Sequence, residues 1–351
     1  MDMMKEFLSR GHEVFAIANE PEDEWRQRFL ENGITYRQIK AERNSVDPRK
    51  DLGTIKSIKQ VLKEVQPAKV FTFQAKTVIY GGIAAKQLGI KDVYPLIAGL
   101  GSLFLKDDVK AKLLRRIMIA EYRMGLRSSA AVFFQNPDDE KTFRDYRIIQ
   151  KQRVQRLNGS GVNVERFQLM EMPKVFGFLC ISRLIRDKGV YEYLQACREI
   201  RKRYPDVRCL LVGPYDSNPS ALQPEDIQQF IDDGSVEYYG EQDDVQPYFA
   251  QCSVYVLPSY REGTPKTVLE AMACGRAIIT TDVPGCKETV RHGENGVLIP
   301  AKNVEALVEQ MENMILHSDE AKRMGAAGRS IAEKTFDVRK VNKMICDTMG
   351  V

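Results

Sequence analysis

The stretch VYVLPSYREGTPKTVLEAMACGRAIITTD, residues 254–282, decides how this chain is read. Its apolar run 254–257 predicts a buried strand, stopped by Pro258 and Ser259. The loop 260–264 carries Arg261, Glu262 and Gly263, and Pro265 stands where a helix takes its first residue. A helix is predicted over 266–273, closed by Gly275 as its C-terminal glycine, and 277–281 reads as a second buried strand. Glu262 and Glu270 lie eight positions apart, one at the expected loop tip and one on the helix. A helix that starts after a Gly-containing loop at the C-terminal end of a parallel strand turns its N–H groups toward a crevice, where anionic ligands bind.

Working outward, strands are predicted at 175–181, 208–212, 236–239 and 297–299. Helices are predicted at 190–203, 225–232, 245–251, 288–291, 303–317 and 319–334, with a last one at 337–349. The first half alternates likewise, with strands at 13–18, 34–39, 69–73, 92–97, 130–135 and 153–157. Its helices fall at 3–9, 22–32, 51–65, 78–88 and 107–128. This βα alternation predicts two doubly wound parallel sheets. The turn-rich run 159–167 and the patternless QLMEMPK place a linker at 166–174.

The bulk properties exclude several classes. The 351 residues suffice for two cored domains, and 43% hydrophobic with 28% charged residues is ordinary for a globular protein. A formal net charge of only +4 gives no support to nucleic-acid binding. The seven cysteines (Cys180, Cys197, Cys209, Cys252, Cys274, Cys286 and Cys346) form no C-x-x-C pair, which argues for reduced thiols in a cytoplasmic protein. His12, His292 and His317 are scattered and offer no zinc motif. No apolar run reaches the roughly 18 residues of a membrane span. Neither Gly99-x-Gly101 nor Gly159-x-Gly161 is followed by the third glycine of a dinucleotide fingerprint, which speaks against an oxidoreductase.

A second motif, SRLIRDKG at 182–189, follows a predicted strand and opens a helix. Arg183 and Lys188 beside a helix N-terminus work against its dipole and need a reason. A diphosphate leaving group supplies one, since two cations and helix N–H groups would neutralise it. The segment 106–127 sets Lys106, Lys110, Lys112, Arg115, Arg116, Arg123 and Arg127 against three acids, with apolar residues interleaved. Two readings stand for it: core packing with a solvated basic face, or docking to an anionic membrane surface.

A lone Glu pair is ordinarily solvated, but EGTPKTVLEAMACGRAIITTD resembles the Glu-x7-Glu signature of glycosyltransferase family 4. That family is retaining and of GT-B fold, two Rossmann-like domains facing across a cleft. The 182–189 run resembles its G-R-L-x-x-x-K-G, with Ser182 in place of the usual Gly. Residues 159–167 resemble its N-G-V-D-x-x-x-F segment. The resemblance implies Arg183 and Lys188 as diphosphate ligands and Glu262 facing the donor sugar. It also implies Gly263, Thr264 and Pro265 holding sugar hydroxyls by backbone, Glu270 on the ribose, and Gly240 bordering the base. Gly99 and Gly101 are read either as facing the interdomain cleft on the acceptor side or as simple turn residues. The leaving phosphate itself takes the acceptor proton, so no protein base is assigned, and neither metal nor cofactor is implied.

The expected activity is transfer of a hexose from a nucleotide-diphosphate donor, UDP-linked by preference. Acceptor and process are those of bacterial capsule, O-antigen and lipid-linked oligosaccharide enzymes, working in the cytoplasm or at the inner face of the membrane. A non-catalytic nucleotide-sugar-binding subunit and a sugar-nucleotide epimerase are the alternatives. Expected domains are 1–170 on the acceptor side, 171–335 on the nucleotide-sugar side, and a C-terminal helix, 336–351, packing back on the first. The family normally opens on a strand and a Gly-rich loop before its first helix. This chain opens on that helix, so the first domain is expected to lack its first strand and to leave two strand edges unpaired.

Overall fold

The computed structural model describes residues 1–41, 48–104 and 107–351. It divides into two compact units, Met1–Leu157 with Val338–Val351, and Asn158–Asp337.

The first unit runs α1 (Asp2–Ser9), β1 (Phe15–Ala18), α2 (Glu22–Leu30), β2 (Thr35–Gln38), α3 (Pro48–Val65), β3 (Val70–Phe73), α4 (Ala75–Gln87), β4 (Val93–Ile97), α5 (Val109–Leu126), β5 (Ala131–Phe134), α6 (Pro137–Asp145) and β6 (Arg153–Arg156). Its strands form two parallel sheets, β1–β2 and β3–β4–β5–β6. Among the described residues β1 pairs with β2 alone and β3 with β4 alone. No residue of β1 is fully buried, and Phe73 at the end of β3 is half exposed. One face of the four-stranded sheet packs Val93, Ile97, Val132 and Phe134 under α3, α4, α5 and α6. The other face sets Tyr94, Leu96, Ala131 and Phe133 against Val341, Ile345 and Met349 of the C-terminal helix.

The second unit runs β7 (Gly177–Ile181), α7 (Val190–Arg203), β8 (Arg208–Val212), α8 (Pro224–Asp232), β9 (Glu237–Tyr238), α9 (Gln246–Phe249), β10 (Val254–Leu257), α10 (Lys266–Ala273), β11 (Ala277–Thr281), β12 (Gly296–Ile299), α11 (Val304–Leu316) and α12 (Ser318–Ile331). The last helix, α13 (Val338–Met349), returns to the first unit. The six strands are parallel in the order β12-β11-β10-β7-β8-β9. Strands β7, β10 and β11 are buried at every residue, as a parallel sheet covered on both faces requires. Phe178, Cys180, Val254, Val256 and Ile279 face Tyr193, Leu194 and Leu307. The alternate residues Leu179, Ile181, Tyr255, Leu257 and Ile278 face Leu269, Met272 and Phe249.

Two expectations need correction, and one helix is an addition. The chain crosses between units at 157/158 instead of 166–174, because the later segment is stapled into the second unit. Val162 bridges to Asp337, Phe167 is buried, and Arg329 donates to the carbonyls of Val164, Phe167 and Ala273. The fully buried Arg276 holds the carbonyl of Glu171 at 2.8 Å. The helix expected at 288–291 is a series of turns, in which Glu288 accepts from the Gly285 N–H and the Thr289 hydroxyl donates to the Cys286 carbonyl. A helix not foreseen, α6, is capped by Asn136, whose side chain accepts from the Asp139 N–H.

Candidate functional site

Strand order places the site. From β7 the chain steps outward to β8 and β9, then returns to lay β10 on the other flank of β7. The carboxyl ends of β7 and β10 therefore bound a topological switch point, where open α/β sheets bind ligands. The loop after β7 carries 182–189 and the loop after β10 carries 258–265. The two motifs read from the sequence are neighbours here.

The loops are joined by backbone and side chain. Tyr260 donates its N–H to the Asp187 carbonyl at 2.9 Å, and the Ser259 hydroxyl donates to the same oxygen at 3.2 Å. Gly189 has φ +69, and a Cβ there would lie 2.1 Å from the Pro258 carbonyl oxygen. Only glycine allows both the left-handed turn and that approach. Across the junction Lys188 Nζ lies 2.5 Å from Glu262 Oε1. Glu262, in the loop as expected, is covered: its side chain is 11% exposed. A neighbouring turn, 284–285, holds it from behind, through the Glu262 N–H to Pro284 carbonyl bond of 2.9 Å.

Pro265 is the N-cap of α10 instead of its first residue, with φ −70 and ψ 113, and Lys266 begins the helix. Gly275 does close the helix, with φ +76 just beyond Cys274. Thr264 donates its hydroxyl to the Gly263 carbonyl at 3.0 Å. One turn into α10, Glu270 is almost fully buried and meets Lys266 at 3.6 Å. Burial raises its carboxyl above the ordinary glutamate range, with Lys266 opposing. Both glutamates are thus covered, and neither is a solvated surface residue.

Arg183 stands apart from the helix start. It lies seven residues before Val190, so the argument from the α7 dipole applies to Lys188, in the short 3₁₀ turn Arg186–Lys188, and not to Arg183. Its Nη1 bonds Asp216 Oδ2 at 2.7 Å. Gly240 follows β9 with φ +65, and its carbonyl accepts from the Gly213 N–H at 2.8 Å. Gly213 in turn packs so closely on Ser182 that a Cβ would lie 1.9 Å from its carbonyl oxygen. Arg183, Lys188, Gly240, Glu262, Gly263, Thr264, Pro265 and Glu270 therefore share one edge of the second unit. Gly99 and Gly101, with φ +109 and +69, follow β4 in the first unit. Lys106 lies outside the described residues.

Asp216 was not found from the sequence. Its signal is the run PYDSNP at 214–219, whose prolines and Asp/Asn mark a turn held by side-chain bonds. A shallow depression beside Gly240, lined by Glu241, Asp243 and Asp244, is too acidic to take a phosphate. No group of three His, Cys, Asp or Glu among the described residues is arranged to hold a metal ion. All seven cysteines are buried and unbridged, and burial pushes thiols such as Cys180 and Cys286 up to about 12.

Comparison with known proteins follows the same division. A family model described as glycosyl transferases group 1 matches residues 176–317, and one described as glycosyl transferase 4-like matches residues 1–136. An N,N'-diacetylbacillosaminyl-diphospho-undecaprenol alpha-1,3-N-acetylgalactosaminyltransferase of Campylobacter jejuni is 28% identical over 93% of this chain and 88% of its own length. The capsular polysaccharide biosynthesis glycosyltransferase CapM of Staphylococcus aureus is 26% identical over 51% of this chain and 50% of its own. Among solved structures, sucrose-phosphate synthase from Thermosynechococcus elongatus superposes with TM-score 0.81 at 17% identity, covering 99% of this chain and 90% of that one. Anabaena Alr3699/HepE in complex with UDP and glucose superposes with TM-score 0.77 at 17% identity, covering 99% and 94%.

Proposed function

Since the chain belongs to the family 4 glycosyltransferases of GT-B fold, we propose that it moves a sugar from a UDP-linked donor to a lipid-linked glycan, with retention at the anomeric carbon. The observation that carries this is the Lys188–Glu262 pair of 2.5 Å, which joins two motifs 74 residues apart at the switch point. In this reading Arg183 and Lys188 neutralise the departing diphosphate, charge that grows as the sugar–phosphate bond breaks. Glu262 and the backbone of Gly263–Thr264–Pro265 orient the sugar, Glu270 accepts from the ribose hydroxyls, and the backbone at Gly240 borders the base. The departing phosphate oxygen takes the acceptor proton. Two protein cations beside the diphosphate make a metal unnecessary to this scheme. The HepE complex with UDP supports the uridine nucleotide, and the Campylobacter enzyme's diphospho-undecaprenol acceptor supports the lipid-linked glycan.

A panel of UDP- and GDP-sugars, each incubated with an undecaprenyl-diphosphate glycan, tests the donor assignment. Acceptor-dependent release of UDP is expected. Nucleotide binding without transfer or hydrolysis would leave only a sugar-nucleotide-binding subunit, and epimerised donor would make the chain an epimerase.

The acceptor reading extends to the membrane surface. No helix among the described residues is long and apolar enough to cross a bilayer. On α5, however, Val109, Leu113, Ile117 and Met124 are exposed, 86% at Val109 and 59% at Leu113. At 100° per residue they form one stripe, bordered by the exposed Lys110, Lys112, Arg116, Arg123 and Arg127. The half-buried Glu121 lies off that face. An apolar stripe bordered by cations suits anionic headgroups. Sedimentation with phosphatidylglycerol vesicles is expected to pull down the wild type, and to lose about fivefold in partitioning for each of Lys110, Lys112 and Arg116 changed to Gln. Equal partitioning onto phosphatidylcholine would reject the contact.

A further inference from the structure

The loop 213–222 is moulded onto the loop that carries Arg183. Leu184 donates its N–H to the Pro214 carbonyl at 3.0 Å, Arg186 to Ser220 at 2.8 Å, and Leu222 to Leu184 at 2.8 Å. Within this mould Asp216 uses both carboxylate oxygens. Oδ1 accepts from the Asn218 N–H at 2.7 Å, and Oδ2 accepts from Arg183 Nη1 at 2.7 Å. Asn218 Oδ1 takes the Ser220 N–H at 2.9 Å, and the Ser220 hydroxyl reaches Asp187 Oδ2 at 3.2 Å. Side-chain bonds therefore run from Arg183 round to the residue before Lys188. Among the described residues the remaining edge of Arg183, Nε and Nη2, meets no partner, and the side chain is 35% exposed.

We infer that Asp216 is a positioning residue: it fixes the Arg183 guanidinium by one amino group so that the other edge meets the donor diphosphate. The inference rests on the reading of Arg183 given above. Two effects compete. Asp216 places a negative charge near the phosphates, which weakens binding, and it removes the rotamer freedom of a long side chain, which strengthens it. The carboxylate is 11% exposed, anchored to its own loop and neutralised by Arg183, so its repulsion is small. Orientation wins.

Calorimetry with UDP and uridine, and with GDP and guanosine in parallel, separates the diphosphate contribution from that of the nucleoside. Arg183→Ala is expected to weaken diphosphate binding tenfold or more and to leave nucleoside binding unchanged. Asp216→Ala is expected to cost about tenfold in the same selective way, Asp216→Asn to fall between it and the wild type, and the double variant to be no worse than Arg183→Ala. Tighter or unchanged diphosphate binding by Asp216→Ala, an equal loss on the nucleoside, or additive losses would overturn the role of Asp216 alone. Unchanged binding by Arg183→Ala, or a wild type that binds neither diphosphate, would overturn the reading of Arg183 and this inference with it. Should Asp216→Ala melt early, Asp216→Asn carries the comparison.

Discussion

At Glu270 burial and charge oppose each other at a single carboxyl. The residue sits one turn inside α10, and burial holds it above the usual glutamate range, with Lys266 and, more weakly, Arg166 opposing. The folded state therefore binds its proton more readily than the unfolded chain does. Its contribution to folding is fully present below the ordinary glutamate range and is lost as pH rises through the raised value. At neutral pH the charged group is a net cost to folding, which the proposed role as acceptor for ribose hydroxyls would explain. Glu270→Gln is accordingly expected to raise the melting temperature at pH 7 and narrow the gain at acidic pH. It is also expected to weaken nucleotide binding. A lower melting temperature with unchanged affinity would mean that Glu270 is a structural residue. Lys188 and Glu262, by contrast, neutralise each other, so neither stands as an unpaired buried charge.

At the scale of elements, helices and strands of the second unit were legible because apolar runs end at strong punctuation, as β10 does at Pro258 and α10 at Gly275. The site was legible as two motifs, and the sheet order that brings them together follows from βα alternation. What was not legible depended on long-range pairing. Nothing local in 159–172 says that Arg329 and Arg276 will bind its carbonyls, so the segment reads as a linker. Asp216 is hidden for the same reason, its partner lying 33 residues away. The α6 start was legible and overlooked, since Asn136 followed by Pro137 and three acids is a helix-start pattern. Arg329→Ala should remove a charged donor shared by three backbone carbonyls, one of them in the last turn of α10. A loss on the order of 3 kcal/mol is expected, read as a lower urea midpoint at unchanged slope. A midpoint equal to wild type would show that water replaces those bonds at no cost.

At the scale of the molecule, the two units use one architectural plan for different ends. Strands β7, β10 and β11 of the second unit are buried at every residue, and the loops at its switch point carry Arg183, Lys188 and Glu262. The first unit carries the glycine loop after β4, the exposed cationic and apolar face of α5, and two sheets, β1–β2 and β3–β4–β5–β6, that do not pair with each other among the described residues. The C-terminal helix belongs to it although the chain has meanwhile built the whole second unit, a connection that no local pattern announces. The most direct test of the whole account is proton NMR of the glycan product made from a UDP-α-sugar on an undecaprenyl-diphosphate-linked acceptor. An α-linked product formed with release of UDP is expected. A β-linked product, or UDP release unaffected by changing Arg183 and Lys188 to Ala, would contradict it.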